Sequence, residues 1–104
     1  MMKRKVVRGS EASLKVTVQF FASFRELFRH KEKEFELGAH ADVQELLDLV
    51  CYTPRLRKEI FEEGSLRSHI TILKNGRHIQ HLNGLGTELA DGDIASIFPP
   101  IAGG

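Results

Sequence analysis

Ile94-Ala95-Ser96-Ile97-Phe98-Pro99-Pro100-Ile101-Ala102-Gly103-Gly104 closes the 104-residue sequence, and it reads as a strand running without a linker into a tail. The alternation places Ala95 and Ile97 on one face and Ile94, Ser96 and Phe98 on the other, and either face can be the buried one. Pro99 and Pro100 fix φ and remove two backbone donors, so the tail is expected to leave the folded body extended. From Pro99 onward it can reach roughly 20 Å, at about 3.3 Å per residue. Gly103 and Gly104 carry no Cβ, so they can thread a channel too narrow for any other side chain. The candidate functional group is therefore the carboxylate of Gly104. A frayed terminus is the plain alternative, yet with glycine at about 7% of residues a terminal pair arises by chance in roughly 0.5% of chains.

The length of 104 residues, with 41% hydrophobic and 28% charged residues, suits one compact domain with one core. No apolar run reaches the length of a membrane span, and the basic N-terminus has no hydrophobic signal core, so the expected address is the cytoplasm. A formal charge of +1, with both signs mixed along the chain, argues against a nucleic-acid footprint. Residues 1–13 are the exception: Lys3, Arg4, Lys5 and Arg8 precede Gly9 and Ser10, and the segment reads as a flexible basic arm. The lone Cys51 cannot form an internal disulfide, and with scattered histidines it makes no closed zinc site. It falls on a helical stripe, so it is expected to pack rather than react.

Outward from the terminal strand, the elements announce themselves by period. Leu14-Lys15-Val16-Thr17-Val18-Gln19-Phe20 alternates without a break and predicts a first strand. Phe24, Leu27 and Phe28 then recur at helical spacing, and Ser23-Phe24-Arg25-Glu26 has the form of a capping box. Lys33-Glu34-Phe35-Glu36-Leu37 returns to alternation, ends at Gly38 and is expected to pair with the first strand. Asp42-Val43-Gln44-Glu45 opens the main helix, with Val43, Leu46, Leu47, Val50 and Cys51 as its buried stripe. Thr53 caps a further turn with Pro54 at its first position, carrying Leu56 and Ile60 inward until Gly64 breaks it. A hairpin over residues 69–79 turns at Asn75-Gly76, and Asp91-Gly92-Asp93 turns into the last strand, giving three strands after the helices. The sum is a small α+β domain with the main helix across one sheet face.

Two blocks, Phe20-Phe21-Ala22-Ser23-Phe24-Arg25-Glu26-Leu27 and Ile97-Phe98-Pro99-Pro100-Ile101-Ala102-Gly103-Gly104, resemble the small subunit of molybdopterin synthase. That is the MoaD family of ubiquitin-like sulfur carriers, related to the thiamine carrier ThiS and to small archaeal modifier proteins. The proline pair matches the MoaD pattern better than the thiamine branch. The resemblance covers about residues 14–104 and leaves the basic arm aside. It implies a β-grasp (ubiquitin-like) fold over residues 14–98, a mixed sheet with first and last strands parallel at its centre, and an extended tail over 99–104. It also assigns Ala95 and Ile97 inward, leaving Phe98 in an exposed apolar patch. Pro99, Pro100, Ile101 and Ala102 complete the partner-docking segment.

An ionised carboxylate is a poor acylating agent and a poor nucleophile, so transfer requires activation. The resemblance implies that an adenylating activating enzyme uses ATP on Gly104, with Gly103 beside it, and that a sulfur donor protein displaces AMP to leave a thiocarboxylate. Its soft sulfur is the better nucleophile. The chain then acts as a group carrier toward the molybdopterin synthase large subunit and is expected to show no turnover alone. No glycine-rich loop opens a helix, so no cofactor is expected on this chain and ATP belongs to the activating enzyme. His30, His40, His69, His78 and His81 are scattered, and His78 and His81 are expected on opposite faces, which offers no metal site. Asp91 and Asp93 read as turn formers. Two other functions use the same sequence: a protein modifier joined to lysines through Gly104, and a binding module with an idle tail.

Overall fold

The structure, a computed structural model, describes residues 13–100. The expected basic arm, apart from Ser13, and the residues Ile101, Ala102, Gly103 and Gly104 lie outside the described residues.

The alternation in β1 (Leu14–Phe20) puts Val16, Val18 and Phe20 on a face that is 0–1% exposed. β2 (Glu32–Leu37) pairs with it antiparallel, with Phe35 opposite Val16 and Leu37 opposite Leu14, so the apolar residues of both strands point the same way. Between them lies α1 (Ser23–Phe28), which buries Phe24 and Phe28. Phe28 stacks on Phe20 with ring centroids 4.8 Å apart and meets Phe24 edge-on.

Residues 42–45 form the reciprocal cap that their types announce. The Asp42 carboxylate accepts from the Glu45 N–H at 2.9 Å, and the Glu45 carboxylate accepts from the Asp42 N–H at 3.1 Å. Behind it runs α2 (Val43–Val50), with Val43, Leu46, Leu47 and Val50 buried. In α3 (Pro54–Ile60) the Thr53 hydroxyl accepts from the Leu56 N–H at 3.1 Å, and Pro54 occupies the first turn, where its missing N–H leaves no bond unmade. The apolar stripes of all three helices join one buried cluster with the inward residues of the sheet.

The chain continues through β3 (Phe61–Glu62) and β4 (Ser65–Leu66), a two-stranded ribbon. It then forms the hairpin of β5 (Thr71–Lys74) and β6 (Arg77–His78) and ends in β7 (Ile94–Phe98). Asn75 and Gly76 both adopt positive φ, 50° and 84°, as a tight hairpin turn requires. The main sheet has the order β2-β1-β7-β5-β6. β7 runs parallel to β1, and every other pairing is antiparallel. This is the β-grasp arrangement that the resemblance implies.

Some sequence readings are corrected. Ser23 does not cap α1; it is the first helical residue, the N-cap is Ala22, and no side-chain cap bond forms. Gly64 does not end a helix, because α3 stops at Ile60 and Gly64, at φ 81°, turns the ribbon. Phe61 is 7% exposed and sits opposite Leu66, so burying its ring draws residue 61 into an extended strand. Five short strands therefore follow the helices rather than three. Ile79 leaves the hairpin for a turn of 3₁₀ helix over Ile79–His81.

Ile97 is fully buried at the middle of the sheet. Truncating Ile97→Ala is expected to cost about 3 kcal/mol by equilibrium urea unfolding; a loss below about 1 kcal/mol would mean that the centre of the sheet does not depend on this side chain.

Candidate functional site: the exit of the last strand

β7 is held on both flanks, by β1 through Thr17–Phe20 and by β5 through Thr71–Lys74. Its direction is consequently set up to Phe98. Ala95 and Ile97 are 1% and 0% exposed, so the inward face is the one that the resemblance assigns. The opposite face carries Ile94, which is 39% exposed, then Ser96 and a half-buried Phe98, with Thr71 and Leu73 beside them on β5. Pro99 is half-buried and Pro100 exposed.

The exit is completed by residues just past β1. The Phe21 N–H donates to the Ile97 carbonyl at 3.2 Å, and the Phe24 N–H closes a four-residue turn on the Phe21 carbonyl at 3.1 Å. Ala22, inside that turn, sits at φ 52° and ψ −135°, backbone suited to glycine. The turn presents the Phe21 ring to Phe98, stacked at 4.3 Å between centroids and 10° between planes. Arg25 locks this arrangement: its Nε–H donates to the Phe20 carbonyl at 3.0 Å, and its guanidinium lies 5.5 Å from the Phe21 ring centroid. Such a cation over an aromatic face adds about 0.5–1 kcal/mol at an exposed site. Phe21 and Arg25 are site residues that the strand-and-tail reading omits. Their signal is Phe21 itself, an aromatic placed one residue past a strand whose buried face is already filled by Phe20.

At the other end of β7 the two aspartates act as turn formers. Asp91 accepts from the Lys15 N–H, and Asp93 accepts from the Ala90 N–H and from the Asn75 side-chain amide, each at 2.8 Å. Lys74 lies 3.6 Å from the Asp93 carboxylate. The strand is thus clamped before it starts and stacked where it ends.

The histidines need a correction. His78 and His81 do not point to opposite faces; the strand stops at His78, and the 3₁₀ turn brings the rings edge to face at 5.8 Å. The His78 Nδ1 is already engaged, accepting from the Gln80 N–H at 3.2 Å. Among the described residues, no group of three or more His, Cys, Asp or Glu side chains is placed to hold a metal ion. Cys51 closes α2, donating its N–H to the Leu47 carbonyl at 2.8 Å. Burial pushes its thiol up from 9.0 to about 11, with Arg57 opposing and Asp48 adding to the shift.

The ThiS family model matches residues 18–104, which takes in the end of β1, every helix, and the whole of β7 through residue 104. This chain belongs to the ThiS family. It is 38% identical over 92 residues to small archaeal modifier protein 3 of Haloferax volcanii, covering 88% of this chain and 100% of that protein. It is similar in structure to small archaeal modifier protein 1 of Methanosarcina acetivorans, with a TM-score of 0.75 and 37% identity over 89% of this chain and 99% of that one. A candidate molybdopterin converting factor, subunit 1, from Pyrococcus furiosus aligns with a TM-score of 0.65 and 32% identity, over 85% and 99% of the two chains. The chain is thus a ubiquitin-like β-grasp protein of the sulfur carrier and modifier group. Among the described residues, no helix is long and apolar enough to cross a membrane.

Two predictions follow from this geometry. Ala22→Gly relieves the strained turn and is expected to hold or raise stability by up to about 1 kcal/mol in thermal or urea unfolding; a clear loss would mean that the turn carries no strain. For Cys51, the unfolded chain ionises near pH 9 while the folded chain keeps its proton to about pH 11, so its contribution to stability is present below pH 9 and lost as pH rises through that window. The difference in stability between the natural chain and Cys51→Ala should therefore shrink from pH 9 to 11.

Proposed function

We propose that this chain carries sulfur on its C-terminal Gly104. The carboxylate attacks the α-phosphorus of ATP on a separate activating enzyme, pyrophosphate leaves, and an acyl-adenylate forms. A sulfur donor protein then displaces AMP to leave a thiocarboxylate, which the chain delivers to the large subunit of a molybdopterin synthase. The observation that carries this reading is the exit itself. β7 is clamped by strands on both sides and ends at a half-exposed Phe98 stacked on Phe21, just ahead of Pro99 and Pro100. A rigid exit of this kind suits a tail that must enter a partner while the body docks outside. Phe98, Pro99, Pro100, Ile101 and Ala102 seat that partner, and Gly103 and Gly104 enter its channel. The family match running through residue 104 supports a role for the terminal pair. Likeness to the candidate molybdopterin converting factor supports the acceptor.

A second reading is favoured by a different observation. The relative that is 38% identical bears the name of a protein modifier. The same acyl-adenylate can acylate a lysine of a target protein, forming an isopeptide bond with loss of AMP. Both readings share the activated Gly104 and differ only in the nucleophile that takes the acyl group or supplies the sulfur.

Intact-mass measurement after incubation with an activating enzyme, ATP and a sulfur donor should show one oxygen of the chain replaced by sulfur, and deletion of Gly104 should abolish the change. Conjugates of higher mass in cell extract that vanish with the same deletion would favour the modifier. A chain lengthened by one alanine that still loads sulfur would overturn both readings.

A further inference from the structure

The sequence holds two Asn-Gly pairs, Asn75-Gly76 and Asn83-Gly84. Such a pair carries a chemistry of its own. The glycine amide nitrogen attacks the asparagine Cγ, ammonia leaves, and water opens the resulting succinimide to an aspartyl or an isoaspartyl residue. Glycine puts no Cβ in the way of the attack, and nothing lies within 4 Å of where a Cβ would stand on Gly76 or Gly84. Crowding at the glycine therefore does not separate the two sites. Asn75 and Asn83 are both exposed, so access of water does not separate them either.

What separates them is the hold on the asparagine. At Asn75 the side-chain Oδ1 accepts from the Ile94 N–H at 2.9 Å, and Nδ2 donates to the Asp93 carboxylate at 2.8 Å. The Asn75 backbone N–H donates to the Ile94 carbonyl, again at 2.8 Å. Swinging Cγ onto the Gly76 nitrogen would break the bonds that tie the β5–β6 turn to the start of β7. It would also take a donor from Asp93, which is only 8% exposed and has little water to replace it.

At Asn83 the hold is weaker. Nδ2 reaches only the Gly86 carbonyl, at 3.4 Å, and among the described residues Oδ1 has no hydrogen-bond partner. The backbone lies at ψ 26°, which sets Cγ away from the Gly84 nitrogen, so the ring closes only after a rotation about that bond. The rotation is opposed by the 3₁₀ turn over Gly84–Gly86 and by the bond from the Asn83 N–H to the Thr87 hydroxyl at 3.0 Å. Opening one such turn is a smaller event than releasing a central strand from its anchor.

We propose that Asn83 is a deamidation site of the folded protein, and that the anchor of β7 withholds the same chemistry from Asn75. The product at residue 83 loses the amide donor and sets a carboxylate against the Gly86 carbonyl oxygen. Its isoaspartyl form also adds a carbon to the main chain close to Thr87, whose carbonyl accepts from the Val43 N–H at 3.0 Å. The change therefore loosens the loop at the start of α2 and leaves the exit of β7 intact.

The test incubates the full chain at mildly alkaline pH, folded and in guanidinium, and follows both asparagines by peptide mapping with mass spectrometry. In the folded chain Asn83 is expected to convert at least about tenfold faster than Asn75. In guanidinium only the local sequence remains, and the two rates should agree within about threefold. The Asn83→Gln variant should remove the fast change and leave Asn75 slow. A ratio of rates no larger in the folded chain than in guanidinium would overturn the proposal. So would an Asn83 amide that survives in the folded chain after the unfolded chain has converted.

Discussion

The parallel pairing of β1 and β7 is the constraint on which the rest of the molecule depends. A parallel pair cannot be closed by a tight turn, so the intervening chain becomes one long crossover. That crossover must cover the inward face made by Val16, Val18, Phe20, Ala95 and Ile97, and the apolar stripes of α1, α2 and α3 do so. Because β7 lies between β1 and β5, both rows of its backbone groups are paired. A strand bonded on both sides has little freedom to tilt, and its C-terminal end must leave the sheet beside the end of β1. The chain therefore leaves the sheet from a strand held on both sides.

The end of β1 is also where the backbone departs most from ordinary geometry. Ala22 is held in a conformation that favours glycine, in a turn whose flanking residues are bonded to Ile97 and by Arg25. Without that turn Phe21 would not lie flat on Phe98. The outward face of the sheet shows a division of labour. Ile94, Leu73 and Phe98 leave an apolar strip near its middle, while Glu32, Glu34 and Glu36 share that face on the edge strand β2. A row of like charges on an open edge discourages pairing with another strand, so the apolar strip can stay partly exposed with less risk of edge-to-edge association.

The chemistry proposed for this chain would take place on a backbone carboxyl, a group that every protein carries. What the fold adds is placement. On the proposed reading, a clamped strand, a stacked aromatic pair and two prolines set the direction in which the chain leaves the sheet toward that carboxyl. The sulfur-carrier and modifier readings converge here, since both need a terminus held away from the body and differ only in what attacks it.

Local signals were enough for much of the architecture. The alternation over Leu14–Phe20, the reciprocal cap at Asp42 and Glu45, the Thr53-Pro54 start of α3 and the Asn75-Gly76 turn each depend on neighbours within four residues, and each stands as the sequence indicates. Where a feature depends on distant partners, the sequence was silent or misleading. Ser23 has the residue type of a cap, but the turn that seats Phe21 on Phe98 lets the helix begin at Ser23 itself, with Ala22 in the cap position. Phe61 continues a helical pattern until burial against the core and pairing with Leu66 pull it straight. His78 and His81 meet because a strand ends one residue sooner than alternation suggests. By itself the sequence determined the order of the main elements, from β1 through the three helices to the Asn75-Gly76 hairpin and β7. Only the tertiary structure decided which face of β7 is buried and what stacks on Phe98, because each of these is an energy between residues that the chain brings together only once it has folded.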